Sequence, residues 1–182
     1  MFFERSLIDK LWKAGVAVEG ARAAGQRYLQ DCDDWGRKNL AKVEQLELFI
    51  APAEKFVSQV DSSGLSLFAA VRAEPLPVDV PARAYRLIDL IRELRGCVHI
   101  AACVTHGLSG LEAILSSPGE NSAKMHGYAP PYSDCSHLRT TRDVVEKSTN
   151  DVMARLIKTH LSEAEMTQLA EQTVRVCAAI SA

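Results

Sequence analysis

Apolar positions recur along this chain at helical spacing, and the stretches between them are punctuated by Gly, Pro, Ser and Asp. Leu7, Leu11, Ala14 and Val18, with Ile8, Trp12 and Tyr28 nearby, predict a first helix over residues 3–29. Gly15, Gly20 and Gly25 weaken it; their spacing of five is no helical face and implies loose packing or close helix contact. Asp33 or Asp34 can cap a second helix through Leu40, Val43, Leu46 and Phe49. Pro52 opens a new segment, because proline disfavours helix at the residue before it. DSSG at 61–64 reads as a turn, and LSLFAAVRA after it as a short helix or an extended apolar plug.

The strongest helical pattern runs from Ala82 to about His106, where Leu87, Leu90, Leu94, Cys97, Ala101 and Val104 form one broad core face. Gly107 suits the left-handed stop of that helix, and Ser109 with Glu112 gives the S-x-x-E spacing of a capping box for a short helix ending before Pro118. Residues 117–138 read mostly as loop. Val145, Val152, Met153, Leu156 and Ile157 mark a helix from Arg139 to about His160. A second capping box, Ser162 and Glu165, starts a final helix through Leu169, Val176 and Ile180. No alternating strand pattern appears, so the predicted class is all-α: a bundle of six or seven helices with a central helix-turn-helix-like pair spanning Arg92 to Ala113. The prolines of PLPVDVP at 75–81 each fix φ and remove a donor, making this the best internal boundary. The expected organisation is one helical domain over 1–182, divisible there into an N-terminal helical arm, 1–74, and a compact C-terminal part, 82–182.

Composition narrows the partners more than the fold. At 182 residues, with 47% apolar and 24% charged positions, the chain can bury a core and is neither disordered nor a membrane protein. Its apolar runs fall far short of the roughly 20 residues that span a bilayer, and MFFERSLIDK lacks the order of charges of a signal peptide. A cytoplasmic location without a membrane partner is expected. A formal charge of −2 offers no general attraction for nucleic acid. The five cysteines are scattered and lack a CxxC pair, so reduced thiols are expected, not a disulfide framework or zinc ribbon.

Candidate chemistry sits on the central helix. At about 100° per residue, Arg92, His99 and His106 fall within about 20° of one another and Cys103 about 40° away, opposite the main core face. His99, His106 and Cys103 are the catalytic candidates: a histidine in an otherwise apolar helix end can serve as general base, and a cysteine beside a histidine can be an activated thiol. The same residues also read as a satisfied core histidine and an inert core thiol. Arg92 could neutralise a substrate carboxylate or be a solvated surface charge. His126, Tyr128 and Tyr132, around Pro130 and Pro131, are substrate-binding candidates as a lid, or an ordinary surface loop. His99 and His106 stand about 10 Å apart along the axis, too far to share a metal; Cys103 and His106 could share one, with a third ligand from His126, His137 or Cys135, but two ligands are too few and no metal site is predicted. These motifs do not identify a cofactor.

Beyond single residues, the segment LFAAVRAEPLPVDVPARAYRLIDLIRELRGCVHIAACVTHGLSGLEAIL resembles a mostly uncharacterised actinobacterial family of helix-turn-helix-like helical proteins. Leu67, Phe68, Ala69, Ala70, Leu76, Pro77, Arg92, Arg95, Gly96, His99, Ala101, Ala102, Gly107, Leu108, Gly110, Leu111, Glu112 and Ala113 carry it. VEKSTNDVMA, with Glu146 and Thr149, resembles that family's C-terminal helix, so roughly half the chain is covered. A weaker similarity is to the carboxymuconolactone decarboxylase-like helical family, through His99, Cys103, Gly107, Leu108, Ser109 and Glu112, without the CxxC pair of its redox members. The first resemblance implies a turn-helix fold. Base-reading helices present Arg, Lys, Asn or Gln, however, and residues 110–117 offer only Glu112 and two serines. Nucleic acid is therefore not expected as a partner. The expected function is binding of a small-molecule ligand, with or without its transformation, in a pocket beside helix 82–106 of a homodimer. A DNA-binding regulator with a reduced helix-turn-helix and a structural oligomerisation protein are the alternatives.

Overall fold

Gly20 ends the first helix where the apolar pattern alone would carry it on. The computed structural model describes residues 3–181, apart from the Ser181 side chain, and Gly20 takes φ +84°, a left-handed conformation that stops α1 (Arg5–Glu19). A new helix, α2 (Ala21–Leu40), begins at once and continues through Asp33 and Asp34, which lie inside it and cap nothing. A Cβ added at Gly15, Gly20 or Gly25 would meet open space, so these glycines do not mark close helix contact. Gly36 does: a Cβ there would come within 2.7 Å of the Pro81 carbonyl and 2.9 Å of Tyr85 Cβ.

The remaining described elements are α3 (Glu47–Gln59), α4 (Ser66–Arg72), α5 (Val80–Thr105), α6 (Gly110–Leu115), α7 (Glu120–Met125), a single 3-10 turn at Ser136–Leu138, α8 (Arg139–His160) and α9 (Glu163–Ser181). Every regular element among the described residues is helical, so the all-α class holds, with nine α-helices where six or seven were expected. Pro52 lies within α3 rather than opening a segment. Lacking an N–H, it leaves the Leu48 carbonyl without its helical donor, and the Gln168 side-chain amide donates to that oxygen at 2.6 Å. Residues 117–138 are less loop-like than expected, since they include α7. The α5 face is also rotated from the sequence expectation: Leu87, Leu90 and Leu94 are buried, but Ala101 is exposed and Val104 is 70% exposed, while Val98 and Cys103 are buried in their place.

Contacts group the chain into two compact units. One comprises the residues up to Gly25 together with Val98–Asp151; the other comprises Gln26–Cys97 and the residues from Val152 on. The boundaries fall inside α2, α5 and α8, so these three helices supply residues to both. In the second unit, α3 and α9 pack along each other. Its core is built on Phe49, Phe56 and Phe68 with Leu87, Leu90 and Leu94. Burial of such side chains contributes roughly 1.5–3 kcal/mol each. The first unit has a smaller apolar cluster of Cys103, Leu108, Ala113 and Val145, and α1 buries none of its residues.

Candidate functional site

The last turns of α5 carry His99 and Cys103, His106 follows directly after its end, and both histidines meet side chains of α8. His99 Nδ1 is 3.1 Å from the hydroxyl of Thr149, a fully buried residue whose hydrogen is donated to the Val145 carbonyl at 2.8 Å. The Thr149 oxygen is therefore an acceptor, and the His99 ring presents an Nδ1–H to it. The Cys103 sulfur stands 3.6 Å from Nε2 of the same ring. Cys103 is fully buried, and burial pushes its thiol pKa up, with the Arg142 charge opposing by a smaller amount. Its raised pKa keeps Cys103 a thiol, which argues against the activated thiolate a nucleophile needs. One helical repeat later His106, an exposed residue, has Nε2 3.5 Å from the Ser148 hydroxyl.

The other candidates belong to different settings. The His126 ring lies 4.9 Å from that of Phe3, its Nδ1 donates to the Ser122 carbonyl at 2.7 Å, and its own carbonyl accepts from Glu4 N at 2.9 Å. Tyr132 donates its hydroxyl to the Tyr128 carbonyl at 2.7 Å, and burial raises the Tyr128 pKa. Between them Gly127, at φ +90°, presses so near Leu7 that a Cβ would lie 2.8 Å from its side chain. The structure thus gathers His126, Tyr128 and Tyr132 into one loop fastened to the start of α1. Arg92 lies in the second unit, where its guanidinium meets Asp89 at 2.6 Å and Glu93 at 2.7 Å, with the Tyr28 hydroxyl at 3.4 Å. Two carboxylates already hold the charge offered for a substrate carboxylate. Among the described residues, no group of three or more His, Cys, Asp or Glu is disposed to hold a metal ion.

A different arrangement emerges just beyond α5. After Thr105 the chain turns at Gly107, φ +72°, and Ser109 and Glu112 form the anticipated capping box: Ser109 N–H donates to Glu112 Oε2 at 2.9 Å, and Glu112 N–H to Ser109 Oγ at 3.3 Å. Helix α6 then ends at Leu115, and the four residues 116–119 lead into α7. Gly119, at φ +85°, returns its N–H to the Ile114 carbonyl at 2.9 Å and closes this turn. The two short helices pack on each other, with Ala113, Ile114 and Ala123 buried. A glycine-containing turn of 3–4 residues is the connection that helix-turn-helix units use. The second helix here, α7, exposes Glu120, Asn121, Lys124 and Met125. Sequence reasoning missed it, although Pro118-Gly119 is a turn signal that could have flagged the helix after it.

A helix-turn-helix family model matches the chain over residues 1–182. No curated protein and no solved structure matches it. The family match overturns the expectation that nucleic acid is not a partner. That expectation took the residues after Gly110 as the reading surface and found no basic or amide side chain there. With α7 following α6, Asn121 and Lys124, two residue types that reach base edges, stand one helix further on.

Proposed function

The chain belongs to this helix-turn-helix family, and from that premise we propose that it is a DNA-binding regulator in which α6 and α7 form the reading pair. The observation that carries the proposal is the tight α6–turn–α7 packing within a chain matched over its whole length by such a family. Helix α7 enters the major groove in this reading, with Asn121 and Lys124 directed at base edges. Arg139, exposed at the start of α8, serves a phosphate. The overall charge of −2 favours few phosphate contacts, so affinity depends on base reading more than on bulk attraction. His99 and His106 have a supporting role: through Thr149 and Ser148 they fasten the end of α5 and the residue after it to α8, with Cys103 beside the His99 ring.

Selection from a pool of random 24-base-pair duplexes, followed by fluorescence anisotropy at 50 and 200 mM salt, tests this reading. The expected result is an enriched sequence whose affinity falls with rising salt and drops at least about tenfold in Lys124→Glu, with helical content unchanged. Absence of binding by the unmodified chain at 50 mM salt would remove the proposal.

A further inference from the structure

The second unit contains an apolar cleft of about 430 Å³ lined by Ile91, Ile157, Met166, Leu169, Ala170 and Thr173. Its floor follows from the sequence of α9, where Met166, Leu169, Ala170 and Thr173 recur at i, i+3, i+4 and i+7 and form one stripe. Ala170 is the smallest of the four, and the absence of a larger side chain there leaves the gap. Leu169 is buried at the base, Ile91, Ile157 and Met166 are half-buried walls, and Ala170 and Thr173 are exposed at the rim. The Thr173 hydroxyl donates to the Leu169 carbonyl at 2.7 Å, and no charged side chain lines the cleft. Met166 adds an adaptable thioether wall.

We propose that this cleft is a binding site for an uncharged, apolar small molecule. Its volume lies within the roughly 300–1,000 Å³ of small-molecule pockets. The uncharged lining and the size of the cleft suit a compact apolar body. A charged ligand would lose its hydration without gaining a partner. An aliphatic or aromatic body is stabilised there by burial alone. Resting on the DNA-binding reading, occupancy is an effector signal: α5 and α8, which supply Ile91 and Ile157, continue as unbroken helices into the unit that contains α6 and α7.

The test is a titration of the full chain with the uncharged fluorophore N-phenyl-1-naphthylamine, in the absence of DNA. A saturable rise in emission at one probe per chain is expected. Ala170→Phe fills the cleft from an exposed position and should weaken binding at least about tenfold, and Ala170→Leu by an intermediate factor. Glu171→Trp, exposed on another face of α9, should leave it unchanged. Emission that never saturates, or that is indifferent to both Ala170 substitutions, overturns the proposal. So does sedimentation showing that the cleft is covered by a second copy, with Ala170→Phe separating the copies and no probe bound. A chain that binds probe but no DNA keeps the cleft and loses only the effector role; one that binds DNA but no probe keeps the reading pair and loses the cleft.

Discussion

The two units solve the problem of holding helices together in different ways. In the unit of α3, α4 and α9, aromatic side chains do most of the work: Phe56 and Phe68 are completely buried and Phe49 nearly so. In the unit of α6 and α7, the apolar cluster has nothing larger than Leu108, and α1 contributes no buried residue. Polar seams supplement it, namely His99 to Thr149, Arg142 to the Ala113 carbonyl, and the Ser109–Glu112 capping box. A hydrogen bond contributes about 0.5–1.5 kcal/mol net, whereas a buried phenylalanine contributes roughly 1.5–3 kcal/mol from burial alone. The unit of α6 and α7 therefore has less apolar burial behind it and is expected to open at lower free energy.

The largest expected effect comes from attacking the stiffer unit. Phe56→Ala leaves a cavity in a fully closed site and should cost about 3–5 kcal/mol, read as a fall in the urea unfolding midpoint. Hydrogen exchange should show lost protection in α3 and α9. If α6 and α7 lost protection first and α3 kept its own, the assignment of the stiffer unit would be reversed.

Removing the seam of the softer unit should do less and do it locally. Thr149→Val keeps shape and volume but takes away the acceptor of His99 Nδ1, at an expected cost of about 1–3 kcal/mol. The loss of exchange protection should concentrate in α5 beyond Val98 and in α6 and α7. Restoring a hydroxyl with Thr149→Ser should recover part of the loss, which a purely steric role for the methyl would not explain.

What could be read from sequence was whatever a local spacing specifies. Both S-x-x-E capping boxes, at Ser109 and Ser162, stand where their spacing put them. The apolar runs of α5, α8 and α9 likewise declared the helical class. The break at Gly20 was missed because a glycine in a helical pattern is as compatible with continuation as with a left-handed stop. Helix α7 was missed because, at six residues with only Ala123 buried, it has too little surface in contact to impose a periodic pattern. As for His99, its partner lies fifty residues away on another helix, a relation that spacing does not encode. The stripe of Arg92, His99 and His106 was geometrically sound, but Arg92 is claimed by Asp89 and Glu93 while the two histidines turn to α8.

The smallest effect contrasts the two capping boxes. Glu112 and Glu165 both have pKa values below the ordinary carboxylate range, Glu112 through its bonds with Ser109. Glu165 goes further, to about 2, chiefly because Lys55 Nζ sits 2.7 and 2.8 Å from its two oxygens and secondarily through Ser162. A carboxylate whose pKa is lower folded than unfolded favours the folded state above its unfolded value, and that contribution disappears as pH falls through the folded one. For Glu165 the window runs from about 4.5 down to about 2. Urea midpoints of the unmodified chain and Glu165→Gln should therefore differ slightly at pH 7 and draw together as pH falls through that window, with added salt shrinking the difference because the pair is partly exposed. Glu112→Gln, with no lysine bond on its carboxylate, should show a shallower dependence, so curves of equal slope would mean that the Lys55 contact is not what separates the two caps.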